Sequence, residues 1–377
     1  MNTVCQGSGQ PQVALCHEWL RSRSGSEKTF ERIAQTFPSA DLYALTRNPA
    51  VEFSLGGRPV HTTFIDQLAP LRHRHALQLP LMPLAWRYAS RKSYDLVITS
   101  SHACVKGFWP ARKALHLCYC YTPMRYVWLS SLDQRRTRDH LSTFGESVLR
   151  QWDLRSVAWV DEFAAISTEV QARIERFYGR PSRVIHPPVD TAFYSPDETL
   201  EKAGFVLAVS RMVPYKRLDL AIKACGALEL PLVIAGDGPQ EIVLRELAGR
   251  SKANVEFVIH PSDEVLRKLY RGAEALIFPA EEDFGIVAVE AQACGTPVVA
   301  LGKGGSLETV VDGETGVLVP EQTEEEMTAG LETLLRSKPT ASRCRHNAER
   351  FSAQRFSEEL IDWVSRCVAD RGDACTV

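Results

Sequence analysis

Two carboxylates, Glu282 and Glu290, bracket the start of a short apolar pattern in Phe278-Pro279-Ala280-Glu281-Glu282-Asp283-Phe284-Gly285-Ile286-Val287-Ala288-Val289-Glu290. Ile286, Val289 and Ala293 recur at helical spacing, and Gly295 followed by Pro297 stops the pattern. Acidic residues ahead of a first turn complement the positive helix end, but three in a row exceed what capping needs. Glu282 falls in the loop, and Glu290 lies about 7 to 8 Å further along the helix axis. Such a pair can hold hydroxyl groups at two ends of a ligand while backbone N–H groups near Gly285 face an anion between them.

Two cations, Arg211 and Lys216, follow the apolar run Phe205–Val209 with no acidic neighbour in sequence. A planar fork and a point charge suit a diphosphate, although taken alone the pair reads equally well as exposed surface. Gly302-Lys303-Gly304-Gly305-Ser306 is a glycine loop at a further helix start, able to turn N–H groups toward phosphate. Together these features point to one anion site, because all of them fall on one side of one predicted sheet.

That sheet comes from repeated strand and helix units. Phe205–Val209, Leu232–Ala235, Val255–Ile259, Ala275–Phe278 and Pro297–Leu301 read as strands, with Gly236-Asp237-Gly238-Pro239 ending the second. The first half alternates in the same way. Val13–Cys16 leads through His17-Glu18-Trp19-Leu20 to a turn at Gly25 and a helix with Phe30, Ile33, Ala34 and Phe37 on one face. Asp41–Thr46, Val60–Ile65, Asp95–Ser100, His116–Tyr121 and Phe163–Ile166 are further strands, and Ser101-His102 and Thr122-Pro123-Met124-Arg125 follow two of them, where open α/β sheets keep ligands. His102 reads either as a cap for the next segment or as a site residue. Pro187-Pro188 is a stiff connector with a hinge just beyond it, and the last helix runs from Ser357 to Val368 with a frayed tail from Ala369.

The 377 residues exceed one ordinary core, so the expected division is an N-terminal domain over 1–195, a C-terminal domain over 196–356, and a final helix, 357–377, returning to the first. The expected class is α/β: two Rossmann-like, doubly wound domains facing a cleft. A net charge of −2 gives no support for nucleic-acid binding. No apolar run spans a bilayer and Asn2–Gln12 is polar, so a cytoplasmic protein is expected. Ten scattered cysteines, including Cys5 and Cys375, read as buried free thiols. From Pro70 to Lys92, Arg72, His73, Arg74, His75, Arg87 and Arg91 are interleaved with leucines, Trp86 and Tyr88. This suits peripheral contact with an anionic membrane. The alternative, a helix pair burying its apolar side, is favoured because Pro80 and Pro83 interrupt any long amphipathic helix.

With these motifs in view, the chain from about residue 12 to 365 resembles retaining glycosyltransferase family 4, which has the GT-B fold. The second half carries Ser210-Arg211 with Lys216, Gly236-Asp237-Gly238-Pro239, the Glu282 to Glu290 unit, Cys294-Gly295-Thr296-Pro297, and Gly304-Gly305 with Glu308. The first half is similar to bacterial mannosyltransferases that build O-antigen and other surface polysaccharides, through His17-Glu18-Trp19-Leu20, Leu79-Pro80-Leu81-Met82-Pro83-Leu84, Ser101-His102, Thr122-Pro123-Met124-Arg125-Tyr126 and Pro187-Pro188-Val189-Asp190. The resemblance implies that Arg211 and Lys216 neutralise a donor diphosphate, that Glu290 holds the ribose, and that Glu282 contacts sugar hydroxyls. It also implies that Gly25, Gly236 and the N–H groups of Phe284, Gly285, Ile286 and Val287 line the nucleotide sugar, with His17, His102 and Arg125 near sugar or acceptor.

The implied donor is GDP-mannose, with UDP-sugars second; the implied acceptor is a glycan or a lipid-linked sugar. Neither a metal nor a cofactor is implied. Two departures stand out: Tyr121 occupies the position where the family commonly places a sugar-contacting histidine, and Ser24 stands where the subgroup has glycine. Tyr121 is expected to donate a hydrogen bond in the histidine's stead, with His102 or His116 as alternative replacements. A non-catalytic nucleotide-sugar-binding subunit, or another GT-B enzyme such as an epimerase, is the competing expectation. A nicotinamide oxidoreductase is disfavoured, since no Gly-x-Gly-x-x-Gly follows either first strand.

Overall fold

Runs such as Leu96-Val97-Ile98 and Leu232-Val233-Ile234 have no polar alternation, which suits strands covered on both faces. A computed structural model describes residues 11–68, 75–128, 140–197 and 199–374. In it the chain forms two compact units: one holds the residues up to Ile166, Val170–Ile185 and the segment from Ser357, the other Ser167–Glu169 and His186–Phe356.

The first unit is a parallel sheet of β1 (Val13–Leu20), β2 (Asp41–Arg47), β3 (Val60–Thr62), β4 (Leu96–Ser101), β5 (Leu115–Cys120), β6 (Glu162–Ala165) and β7 (Arg183–Val184). Its order is β3-β2-β1-β4-β5-β6-β7, so the chain reverses direction across the sheet between β1 and β4. Here β1 does not end with the apolar run at Cys16. It pairs with β2 out to Leu20 opposite Arg47, and with β4 through His17 opposite Ser100, which draws His17 and Glu18 into the sheet. Ile65, expected in a strand, instead lies in the short helix Phe64–Gln67.

The second unit has β8 (Phe205–Val209), β9 (Leu232–Ala235), β10 (Val255–Val258), β11 (Ala273–Phe278), β12 (Val298–Leu301) and β13 (Gly316–Val319), in the order β10-β9-β8-β11-β12-β13, again all parallel. Its reversal lies between β8 and β11. Strand β13 and the helix Glu324–Ser337 were not anticipated; Met327, Leu331 and Leu334 of that helix join Val299, Leu301 and Val319 in one core.

The units part at Ile185, ahead of the expected boundary at 195. Residues beyond it are tied into the second unit: Val189 N donates to Phe351 O at 2.9 Å, and Arg345 Nη1 donates to Thr191 O and Tyr194 O at 2.7 Å each. The final helix spans Ala353–Ala374, so it continues past the expected end at Val368. In the first unit, Arg32 Nε donates to its Ser357 Oγ at 2.9 Å.

Eight cysteines are free and buried, while Cys5 and Cys375 lie outside the described residues. Arg72, His73 and Arg74 of the basic stretch also lie outside them. Beyond these, Pro80 and Pro83 accompany two short helices, His75–Gln78 and Met82–Arg87, of which Met82, Ala85 and Trp86 are buried and Leu84 and Tyr88 exposed. Among the described residues no helix is long and apolar enough to cross a membrane.

Candidate functional site

In open parallel sheets, ligands collect beyond the carboxyl ends of the strands at the point of reversal. In the second unit that point is where β8 delivers Ser210-Arg211 and β11 delivers the acidic loop. Backbone contacts fix both loops. Gly236 has φ +141°, and a Cβ there would sit 2.0 Å from Ser210 O, so only glycine lets the turn after β9 lie against the Arg211 segment. Met212 N donates to Asp237 O at 2.6 Å and Gly236 N to Val258 O at 3.0 Å. Gly236, expected to line the nucleotide sugar, therefore positions the neighbouring loop and has its own N–H engaged.

The Gly304-Gly305 loop differs from expectation in the same sense. Gly305 N donates to Glu282 O at 2.8 Å, and a Cβ on Gly305 would meet Phe284 Cα at 2.2 Å. Its glycines serve close approach to the acidic loop, so the Gly305 N–H is not turned toward a phosphate. Glu308, on the short helix that follows, pairs with His186 Nε2 at 2.8 Å.

On this scaffold Lys216, at the end of the 3-10 turn Pro214–Lys216, forms an ion pair with Glu282. Arg211 is exposed, with no ion pair among the described residues. Gly285, at φ +89°, precedes the helix Ile286–Ala293, and the Phe284 ring is buried against His186 and Phe351, so only its backbone can meet a ligand. Ile286 and Val287 begin the helix, half-buried. Glu290 is 6% exposed and accepts from the Tyr270 hydroxyl at 2.8 Å. Burial, with the Glu290 charge beside it, raises the Tyr270 phenol well above its ordinary pKa. Two cations, the Glu282 carboxylate and a half-buried helix start thus share one end of the sheet, an arrangement fitted to a polyhydroxylated diphosphate.

The first unit groups a different set around β1 and β4. His17 is fully buried, stacked on Phe30 with ring centroids 4.9 Å apart, and its Nδ1 is 3.0 Å from Ser100 Oγ. Burial lowers its pKa to about 3, outweighing a hydrogen bond to the Ser100 backbone that acts the other way. His102 packs edge-on to Tyr121 and tilted on Trp19, at 6.0 and 5.1 Å. The Tyr121 hydroxyl, expected to donate a hydrogen bond in the histidine's stead, instead donates to Ser26 O at 2.9 Å and lies 2.9 Å from Ser100 Oγ. His116 cannot replace it. Its Nε2 meets Thr99 Oγ1 at 2.9 Å and its Nδ1 meets Trp159 O at 2.8 Å, on the other face of β5, and burial lowers its pKa to about 4.

Gly25 opens the helix Gly25–Thr36 and accepts from Thr29 Oγ1 at 2.8 Å. Ser24 is its N-cap at φ −103°, an ordinary value, so a serine in place of glycine brings no strain there, and its hydroxyl bonds Glu27. Arg125 is exposed at the start of the helix Arg125–Trp128.

Three residues near these groups were missed. Glu18 accepts from Ala103 N and Val105 N at 2.8 and 2.9 Å, tying the His102 loop to β1, and burial raises its pKa to about 7. Ser100 bridges His17 and Tyr121, and Tyr270 bonds Glu290. Of these, Ser100 carried a signal in its place at a strand's carboxyl end and Glu18 in the His17-Glu18-Trp19-Leu20 run, while Tyr270 carried none.

Residues 9–193 match the family model "Glycosyltransferase Family 4", and residues 191–351 match "Glycosyl transferases group 1". The chain is built of two glycosyltransferase domains. Their fold is GT-B, two Rossmann-like α/β domains, and the solved structures agree: the chain is similar to sucrose-phosphate synthase of Thermosynechococcus elongatus (TM-score 0.73, 18% identity, 95% of this chain and 100% of that one). It is also similar to Anabaena HepE in complex with UDP (TM-score 0.68, 18% identity, 94% and 100%). In sequence it is 33% identical over 230 residues to a D-inositol 3-phosphate glycosyltransferase of Mycobacteroides abscessus, covering 56% of this chain and 50% of that protein. A protein of the same name from Rhodococcus erythropolis is 33% identical over 240 residues, covering 55% and 54%. The chain spans about half the length of these relatives.

Proposed function

We propose that this protein is a retaining glycosyltransferase that moves a sugar from a nucleoside diphosphate donor to a lipid-linked or oligosaccharide acceptor in surface-polysaccharide synthesis, on the cytoplasmic side of the membrane. The observation that carries this reading is the gathering of Arg211, Lys216, Glu282 and the Gly285 helix start beyond β8 and β11. As the bond to the sugar breaks, negative charge builds on the leaving diphosphate. Preorganised Arg211, Lys216 and N–H groups from Phe284 to Val287 oppose that charge most strongly in the transition state. Glu282 accepts from sugar hydroxyls once the donor draws Lys216 toward phosphate, and Glu290, held by Tyr270, accepts from the ribose. The departing diphosphate takes the acceptor's proton on the same face, which retains configuration.

GDP-mannose is the proposed donor, from the likeness of the first half to mannosyltransferases. A UDP-sugar is the second reading, favoured by the neighbouring structure solved with UDP. Peripheral contact with an anionic membrane is proposed through Leu84 and Tyr88, which are 47% and 65% exposed beside Arg87 and Arg91. The purified protein is to be offered GDP-mannose, UDP-glucose and UDP-N-acetylglucosamine with simple glycoside acceptors, and free nucleoside diphosphate measured. Acceptor-dependent release from GDP-mannose is expected. Release only from a UDP-sugar reassigns the donor, and tight nucleotide binding with no turnover of any donor supports the non-catalytic subunit instead.

A further inference from the structure

We propose that His17 presents a bare Nε2 lone pair to a substrate hydroxyl, and that Ser100 and Tyr121 are positioning residues that hold its ring in the required tautomer. The identity of the hydroxyl as a sugar's rests on the proposed function; the tautomer does not.

The tautomer follows from counting protons. A carbonyl oxygen only accepts, so at 2.9 Å from Ser26 O the single Tyr121 proton is donated there. The phenol oxygen is then left to accept, and Ser100 Oγ, 2.9 Å away, donates its one proton to it. With that proton placed, Ser100 Oγ can only accept from His17 Nδ1 at 3.0 Å, so Nδ1 carries the ring proton. Burial keeps the imidazole neutral. A hydrogen bond to the Ser100 backbone favours the charged form less than burial disfavours it, and Glu18 points to the opposite face of β1 and binds Ala103 N and Val105 N. A neutral ring protonated at Nδ1 has an unprotonated Nε2.

That atom is buried and has no hydrogen-bond partner among the described residues. An unsatisfied buried acceptor is costly, and rare enough to call for a ligand donor. The ring is also fixed in orientation, stacked on Phe30 and edge-on to His102 and Tyr121 at 5.9 and 6.3 Å. His17 pairs in register with Ser100, at the point of reversal between β1 and β4. Ligands of such sheets gather beyond that point, and a sugar carries the O–H donors that Nε2 lacks. Tyr121 acts only through Ser100 and His17, because its own proton is committed to Ser26.

Imidazole 15N NMR of the full chain tests this. The expected spectrum of the unliganded protein shows His17 protonated at Nδ1 and bare at Nε2, with the Nε2 resonance shifting when mannose, glucose or GDP-mannose is added. In Tyr121→Phe, Ser100 is released to donate to Nδ1, so the proton is expected to move to Nε2. The hydroxyl that donated to Nε2 must then turn to accept from Nε2–H, so the KM for the sugar substrate should rise, by up to about tenfold, while the Kd for GDP is unchanged. Ser100→Thr keeps the hydroxyl and should behave as wild type; Ser100→Ala serves if Tyr121→Phe does not fold. An Nε2–H tautomer in the wild type overturns the proposal. So does an Nε2 resonance unmoved by hexose and nucleotide sugar alike, or a KM unchanged when the tautomer switches. A protein that binds no nucleotide contradicts the proposed function and leaves the NMR outcome to decide this one.

Discussion

The two units share the strand order 3-2-1-4 and gather chemistry at the same point of reversal, yet they build it from different material. In the second unit the site is held by backbone: Gly236 against Ser210, Gly305 against Phe284, and Gly285 ahead of a helix. In the first unit it is held by buried polar side chains: His17 with Ser100, Glu18 with two N–H groups, and Lys106 paired with Asp153 at 2.9 Å with both side chains almost wholly buried. Close backbone contact admits only glycine, so it fails sharply on one added carbon. A buried network tolerates shape but not loss of a partner. One measurement can separate them, because all seven tryptophans lie in the first unit and report its unfolding alone.

The largest effect is expected from Lys106→Met. It strands the Asp153 carboxylate, which also accepts from Trp128 Nε1 and Tyr178 OH at 2.8 Å each. Breaking a buried pair by removing one partner costs about 3–5 kcal/mol. The denaturant midpoint of tryptophan fluorescence should fall accordingly, while GDP binding by the folded protein survives. An unchanged midpoint would mean that the pair is not a buried support of this unit.

Gly236→Ala comes next, at roughly 1–3 kcal/mol for an incompatible φ and a backbone clash. Its effect should be the mirror image: nucleotide affinity lost as the Arg211 loop is displaced, with the tryptophan transition unmoved. If affinity holds and the tryptophan transition shifts, the contrast between the units is wrong.

Acid should produce the smallest effect, confined to the first unit. With folded pKa values lowered to about 3 and about 4, His17 and His116 stay neutral as pH falls below 6.5, while the unfolded chain takes up both protons. Stability therefore drops between pH 6.5 and 4. Glu18, raised to about 7, works in the opposite sense, since the folded state takes its proton first between pH 7 and 4.5. The two histidine losses set against the Glu18 gain leave a net fall of roughly 1 to 2 kcal/mol from pH 7 to pH 5, which Glu27, raised by burial in the same sense as Glu18, reduces further. Urea titrations followed by tryptophan fluorescence at the two pH values check it, and a midpoint equal or higher at pH 5 would contradict the assignment of neutral histidines.

The same contrast explains what could be read from the sequence. The succession of strands and the residues beyond β8 and β11 were legible because apolar runs, glycines and charges with no acidic neighbour in sequence are local marks. The glycine loop was seen but misread, because a glycine that admits backbone and one that admits phosphate look alike until the neighbour is known. In the first unit, Ser100 acquires meaning only through register with His17, and Tyr121 faces inward for reasons in Ser26, far along the chain. Strand β13 escaped notice as four residues with a half-buried pattern, although Thr323 followed by Glu326 marked the next helix start, where Thr323 Oγ1 accepts from Glu326 N at 3.3 Å.

The central claim is that Lys216, beside Glu282, is the second unit's diphosphate anchor. Calorimetric titration of GDP and UDP into wild type, Lys216→Ala and Glu282→Ala, with transfer rates on the same samples, tests it most directly. Both substitutions should lower transfer by orders of magnitude, but only Lys216→Ala should weaken nucleotide binding, by tenfold or more for a lost charge-assisted contact of about 1.5–3 kcal/mol. Nucleotide affinity and transfer rate unchanged in both variants would contradict the account.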